Sequence, residues 1–98
     1  MMLNELLQDI YVLEEEMRNF ERKYGVLSET FYQSYTIGEE PCDDTWIRDW
    51  AAWGSAYTLW LKRKGQYKSA AQKIGEETQT IIGFIEKTAR HEQIPIFA

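Results

Sequence analysis

The side chains able to do acid–base, nucleophilic or metal chemistry are few and badly spaced for it. His91 is the single histidine and Cys42 the single cysteine. Nucleophilic catalysis needs a base beside the nucleophile and a third group to orient that base. His91 lies near the end of the chain, beyond the helical pattern, and reads as a surface residue. One cysteine forms no internal disulfide, and no histidine–cysteine set exists for zinc. A di-iron bundle needs two Glu-x-x-His pairs, which one histidine does not supply. A magnesium-binding helical hydrolase would carry Glu-Glu-x-x-Glu and a later Glu-x-x-Asp, but Glu14-Glu15 is followed by Arg18 at the required position. Glu39, Glu40, Asp43 and Asp44 offer hard oxygen ligands without the alternating spacing and central glycine of a calcium loop. No glycine-rich phosphate cradle is present. The expectation is no catalytic residue, no metal and no cofactor.

Charge says more than chemistry. Residues 1–49 carry twelve acids and four bases, net −8; residues 50–98 carry four acids and seven bases, net +3. An acidic half suits a basic partner, or head-to-tail pairing with a second copy. The one basic cluster, Lys62-Arg63-Lys64 with Lys68 and Lys73, is interleaved with Trp60 and Tyr67. An isoelectric point near 4.8 nevertheless opposes phosphate binding overall, so nucleic acid is not the expected partner.

These residues must be positioned by helices. Ninety-eight residues suffice for one small domain, and six glycines with two prolines are too few turn formers for a sandwich or barrel. Leu3, Leu6, Ile10, Leu13, Met17, Phe20 and Tyr24 recur in steps of three and four, an a/d seam over three heptads. A helix over 3–24 follows, with Asn4 a candidate cap and Lys23-Tyr24-Gly25 its stop. Ser28 reads as the N-cap of a short helix over 29–37 that Gly38 ends. Pro41 forbids helix in the acidic loop, and Asp43 or Asp44 caps what comes next.

That next helix holds the aromatic residues. Trp46, Trp50, Trp53, Tyr57 and Trp60 form one stripe, flanked by Ala51, Gly54 and Thr58, small enough to admit a close neighbour. At about 200 Å² buried per tryptophan, the stripe dominates the expected core. That core comprises Leu6, Ile10, Leu13, Met17, Phe20, Tyr24, Phe31, Trp46, Trp50, Trp53, Tyr57 and Trp60. The same phase continues through Tyr67, Ala71, Ile74, Thr78, Ile81 and Ile85, which predicts one long helix over 45–89, bent or broken at Gly65. Unbroken, it would span roughly 67 Å and outrun its cover. Tyr67, Ile74, Ile81, Ile82, Phe84 and Ile85 would then form an oligomer interface, most simply a two-fold dimer completing an all-α bundle. Residues 91–98 read as an extended tail of a single helical domain, 1–98. The start lacks a basic leader and no apolar run reaches membrane length, so a cytoplasmic protein without membrane contact is expected.

Three patterns carry a resemblance: Phe20-Glu21-Arg22-Lys23-Tyr24-Gly25, Ser28-Glu29-Thr30-Phe31-Tyr32, and Gly38-Glu39 followed by Asp43-Asp44 and Asp49-Trp50. Over residues 13–53 the chain resembles small prokaryotic helical proteins encoded beside toxin genes and regarded as antitoxin-like. Many of those carry Glu-Trp where Asp49-Trp50 stands here, and residues 66–98 have no counterpart among them. The resemblance implies a non-enzymatic protein that neutralises a toxin, often a ribonuclease, by protein–protein contact. Glu39, Glu40, Asp43, Asp44 and Asp49 are the candidate partner-binding residues. Two alternatives stay open on the residues alone: a metal-dependent hydrolase using helix and loop carboxylates, and a small nucleic-acid-binding helical protein.

Overall fold

The computed structural model describes residues 1–96, and its regular structure there is helical apart from one antiparallel bridge, Met2 with Pro95. The fold is all-α. Helix α1 spans Leu3–Tyr24, the bounds its heptads predict, and Asn4 sits exposed inside its first turn rather than capping it. Gly25 ends α1 with φ +76°, its amide donating to the Glu21 carbonyl at 2.8 Å. Left-handed backbone there would strain a side chain, so glycine is the fitting residue.

Helix α2 spans Ser28–Thr36, one residue earlier than the spacing suggests. Its cap is Leu27 in extended backbone, with no side-chain bond. Ser28 is therefore not the cap. It is buried, and its hydroxyl serves two partners inside the fold. Asp43 does cap as expected: its Oδ1 accepts from the Thr45 amide at 2.8 Å and opens a 3-10 turn over Asp44–Trp46.

Helix α3 runs Ile47–Thr78, about 48 Å. It passes Gly65 and Gly75 without a break, so the expected weak point at Gly65 is corrected. The chain breaks instead at Gln79, which turns left-handed with φ +64°, and Thr80 caps α4, Ile81–Ala89. Local hydroxyls set this corner. Thr78 Oγ1 donates back to the Ile74 carbonyl at 3.0 Å, and Thr80 Oγ1 accepts from the Gly83 amide at 3.0 Å. A glycine costs a helix only about 1 kcal/mol, whereas a capped restart competes directly with propagation.

The chain divides into two compact units, to which α1 and α3 both contribute. The aromatic unit is Tyr11–Leu61. Leu13, Met17, Phe31, Trp53, Ala56 and Tyr57 are buried there, with Phe20, Tyr24, Tyr32, Trp50 and Trp60 half-buried against them. Gly54 is a real close approach: a Cβ there would collide with the Tyr35 ring of α2.

The terminal unit joins Met1–Ile10 to the chain from Lys62 onward. Its buried core is aliphatic but for one ring, Phe84. Leu3, Ile74, Phe84 and Ile94 are buried together, with Tyr67, Ala70, Ala71 and Ile96 beside them, and Leu6 and Ile10 are buried as well. The tail closes it: the Leu3 amide donates to the Ile94 carbonyl at 2.8 Å, and the Ile96 amide to the Met1 carbonyl at 2.9 Å. Residues 97–98 of the expected tail lie outside the described residues.

This closure corrects the reading of the long seam. Ile74 and Phe84 lie inside the chain's own core, and Tyr67 packs against it. Of the six residues assigned to an interface, Ile81, Ile82 and Ile85 remain exposed. No helix among the described residues is long and apolar enough to cross a membrane.

Candidate functional site

The aromatic unit is built around Trp53, which is inaccessible to water. Its ring lies parallel to Phe31 at a centroid distance of 3.9 Å, with Phe20 and Tyr24 stacked at 5.6 and 5.7 Å. Its Nε1 donates to Ser28 Oγ at 2.9 Å, and Ser28 Oγ donates onward to Glu21 Oε2 at 2.7 Å. The Ser28 amide reaches the same carboxylate oxygen at 2.9 Å. The Ser28 hydroxyl thus satisfies the buried indole N–H, and one glutamate satisfies both that hydroxyl and the helix-start amide. Sequence reasoning missed this relay. The signal available was Glu21 and Ser28 on either side of the Gly25 turn.

Surface charge concentrates in this unit, which holds ten acids and four bases, net −6, against six acids and seven bases, net +1, in the terminal unit. The segment from Ile37 to Ile47 carries Glu39, Glu40, Asp43 and Asp44, all exposed. Gly38, at φ +82°, lets it leave α2, and Ser34 Oγ donates to Glu39 Oε2 at 3.0 Å. Two bonds from Thr45 hold the Asp43 carboxyl below its ordinary pKa. Among these acids stand large apolar groups: Ile37 is 72% exposed and Trp46 41%, with Ile47 exposed beside it. Trp46 is therefore corrected from core to surface. It meets Tyr24 edge to face at 6.0 Å and leaves a large part of its ring in water.

Asp49 does not belong with the exposed acids. Lys23 Nζ donates to its Oδ2 at 2.6 Å, and the Tyr24 hydroxyl donates to the same oxygen. These bonds push the Asp49 carboxyl below its ordinary pKa, and the bond to Asp49 raises Lys23. Tyr24 is raised first by burial and then by its bond to Asp49. Asp49 is a tether between α1 and α3, which corrects its assignment to a partner surface. Such a pair, 26 residues apart in sequence, leaves no trace in a count of acids.

The residues weighed for catalysis are placed plainly. His91 is exposed just past α4 with φ +58°, and Cys42 is exposed in the acidic segment. Among the described residues no three His, Cys, Asp or Glu side chains are grouped so as to hold a metal ion. No family model matches the chain, and no curated protein or solved structure matches it.

The basic run is dispersed by the helix. Arg63 Nε lies 3.5 Å from Asp9 Oδ2 and its Nη1 donates to Gln66 Oε1 at 2.9 Å, so it is occupied within the terminal unit. Lys62 and Lys73, with Lys87 of α4, instead line a groove in that unit.

Proposed function

We propose that the chain is a non-enzymatic protein–protein interaction module, whose aromatic unit offers the Ile37–Ile47 segment to a basic protein. The observation that carries this reading is the exposure of Trp46 and Ile37 in a segment bearing four acids and no base. Interfaces combine an aromatic anchor with a charged rim; the anchor supplies affinity and the rim supplies steering. Trp46 is fixed from behind by Tyr24, which lowers the ordering cost of binding. The resemblance over residues 13–53 supports a more specific partner, a ribonuclease-type toxin whose RNA-binding surface is basic. Masking such a surface needs acids and an anchor, and no reaction chemistry.

The test is affinity capture from extract of the native host. The wild type is compared with Trp46→Ala and with Asp43→Lys plus Asp44→Lys, each at low and high salt. A basic protein should be enriched by the wild type, weakened by salt and by the charge reversal, and lost with Trp46→Ala. Recovery that ignores all three changes would defeat the reading. A melting temperature raised clearly by Mg²⁺ or Mn²⁺ would point to the hydrolase alternative.

A second reading concerns self-association. Ile81 is 74% exposed, and Ile82 and Ile85 share the surface of the same short helix. That surface supports pairing of two copies through α4. Light scattering at micromolar concentration should then give twice 11.6 kDa, and a mass of 11.6 kDa would remove it.

A further inference from the structure

The terminal unit contains a groove of about 750 Å³, within the range of about 300–1,000 Å³ typical of small-molecule sites. One bank is a face of α3: Lys62, Gln66, Ser69, Lys73 and Glu77 recur at helical spacing. The other bank is the returning tail, Gln93 to Ile96, with Lys87 of α4. Ala70 and Ile74 of the first bank and Ile94 and Ile96 of the second give the lining its apolar part. Gly65 has no atom within 4 Å of where a Cβ would lie, so it widens the groove beside Lys62.

We propose that this groove binds a single-chain amphiphile with an anionic head group, of the free long-chain carboxylate class. The apolar floor would take the chain, and the lysines would take the head. The lining carries three lysines and one glutamate, so the rim selects negative charge. Neither Lys62 nor Lys87 has an ion-pair partner among the described residues. Lysines at the rim of an apolar groove can lay their aliphatic stems along it and keep the ammonium groups in water. A bound carboxylate would gain charge-assisted hydrogen bonds there. Nucleic acid would leave the apolar floor uncovered.

The probe is dodecanoate, added below its micellar concentration to the full chain and followed by amide chemical shifts. Saturable shifts should appear at Ser69, Ala70, Ile74 and Ile94. Lys62→Ala plus Lys87→Ala should weaken binding by about tenfold or more, with the dispersion of the free spectrum kept. Dodecyltrimethylammonium, with the same tail and opposite head, should bind much more weakly. Absence of saturable shifts would overturn the proposal, and so would equal binding of the cationic amphiphile. Adsorption to phosphatidylglycerol vesicles without binding of the monomer would overturn it in favour of a membrane surface. Preference for an acidic peptide over dodecanoate would do so in favour of a protein partner.

Discussion

Trp53 and Ile74 lie on the same helix, both are buried, and they are covered by different means. Trp53 is enclosed by Phe20, Tyr24 and Phe31 from α1 and α2, neighbours in the chain, and its one polar atom is bonded to Ser28. Ile74 is enclosed by Leu3, Phe84 and Ile94, drawn from both ends of the chain. The first core is aromatic and continuous in sequence pattern, and the polar atom of its central ring is satisfied. The second is aliphatic but for Phe84 and includes Ile94 of the tail, whose carbonyl accepts from the first residue of α1. The contrast teaches that one heptad phase can serve two unrelated packing solutions, and that phase alone does not tell them apart.

The sharpest break in this comparison is truncation at the centre of the aromatic core. Trp53→Ala should cost about 3–5 kcal/mol, measured by urea or thermal unfolding. In a domain with about 5–15 kcal/mol available, that brings the chain close to unfolding. Phe84→Ala should cost less, about 2–3 kcal/mol, because a nine-residue helix carrying one buried side chain can relax into the space. A larger loss at Phe84 than at Trp53 would reverse the ranking of the two cores.

A finer comparison separates two tryptophans of one stripe. The Trp50 Nε1 is buried without a hydrogen-bond partner, whereas Trp53 Nε1 is bonded to Ser28. Trp53→Phe should therefore cost about 1 kcal/mol more than Trp50→Phe, the worth of one hydrogen bond. Equal losses would show that the Trp53–Ser28–Glu21 relay adds nothing beyond ring packing.

The smallest effect is read against pH. Asp49 has a lowered pKa, so its contribution is present above the ordinary carboxylate value and is lost as pH falls from there through the lowered one. Lys23 and Tyr24 are raised, so their contributions are present below their ordinary values and are lost as pH rises through the raised ones. Melting temperature should thus plateau around neutrality and decline at both extremes. Asp49→Asn should flatten the acid limb and remove the Lys23 part of the alkaline limb, leaving the part due to Tyr24 burial. An acid limb identical to that of the wild type would show that Asp49 tethers nothing.

How legible each region was follows from what holds it. The bounds of α1 were readable because the seam is unbroken and Lys23-Tyr24-Gly25 is a local stop. The Asp43 cap and the small flank at Gly54 were readable for the same reason: both are short-range matters of shape. The corner at Gln79-Thr80 was not, because Thr78, Ile81 and Ile85 keep helical phase across it and a left-handed residue leaves no mark on periodicity. The acidic segment was located correctly, but Trp46 was assigned to the core because spacing reports a helix face and not how far its cover extends. Asp49 was read as surface for want of any local sign of Lys23. The groove escaped because it depends on Gln93 to Ile96 folding back beside α3, a long-range event fixed by Met2 and Pro95.

Residue-resolved amide hydrogen exchange on the wild-type chain tests the contrast between the two cores most directly. The account predicts that amides near Trp53, Ala56 and Tyr57 in α3 exchange only through global unfolding. Those of Phe84 to Ala89 in α4 should open at a distinctly lower free energy, because one buried ring and a single threonine cap hold that helix. Protection in α4 equal to that around Trp53, or earlier opening around Trp53, would contradict it.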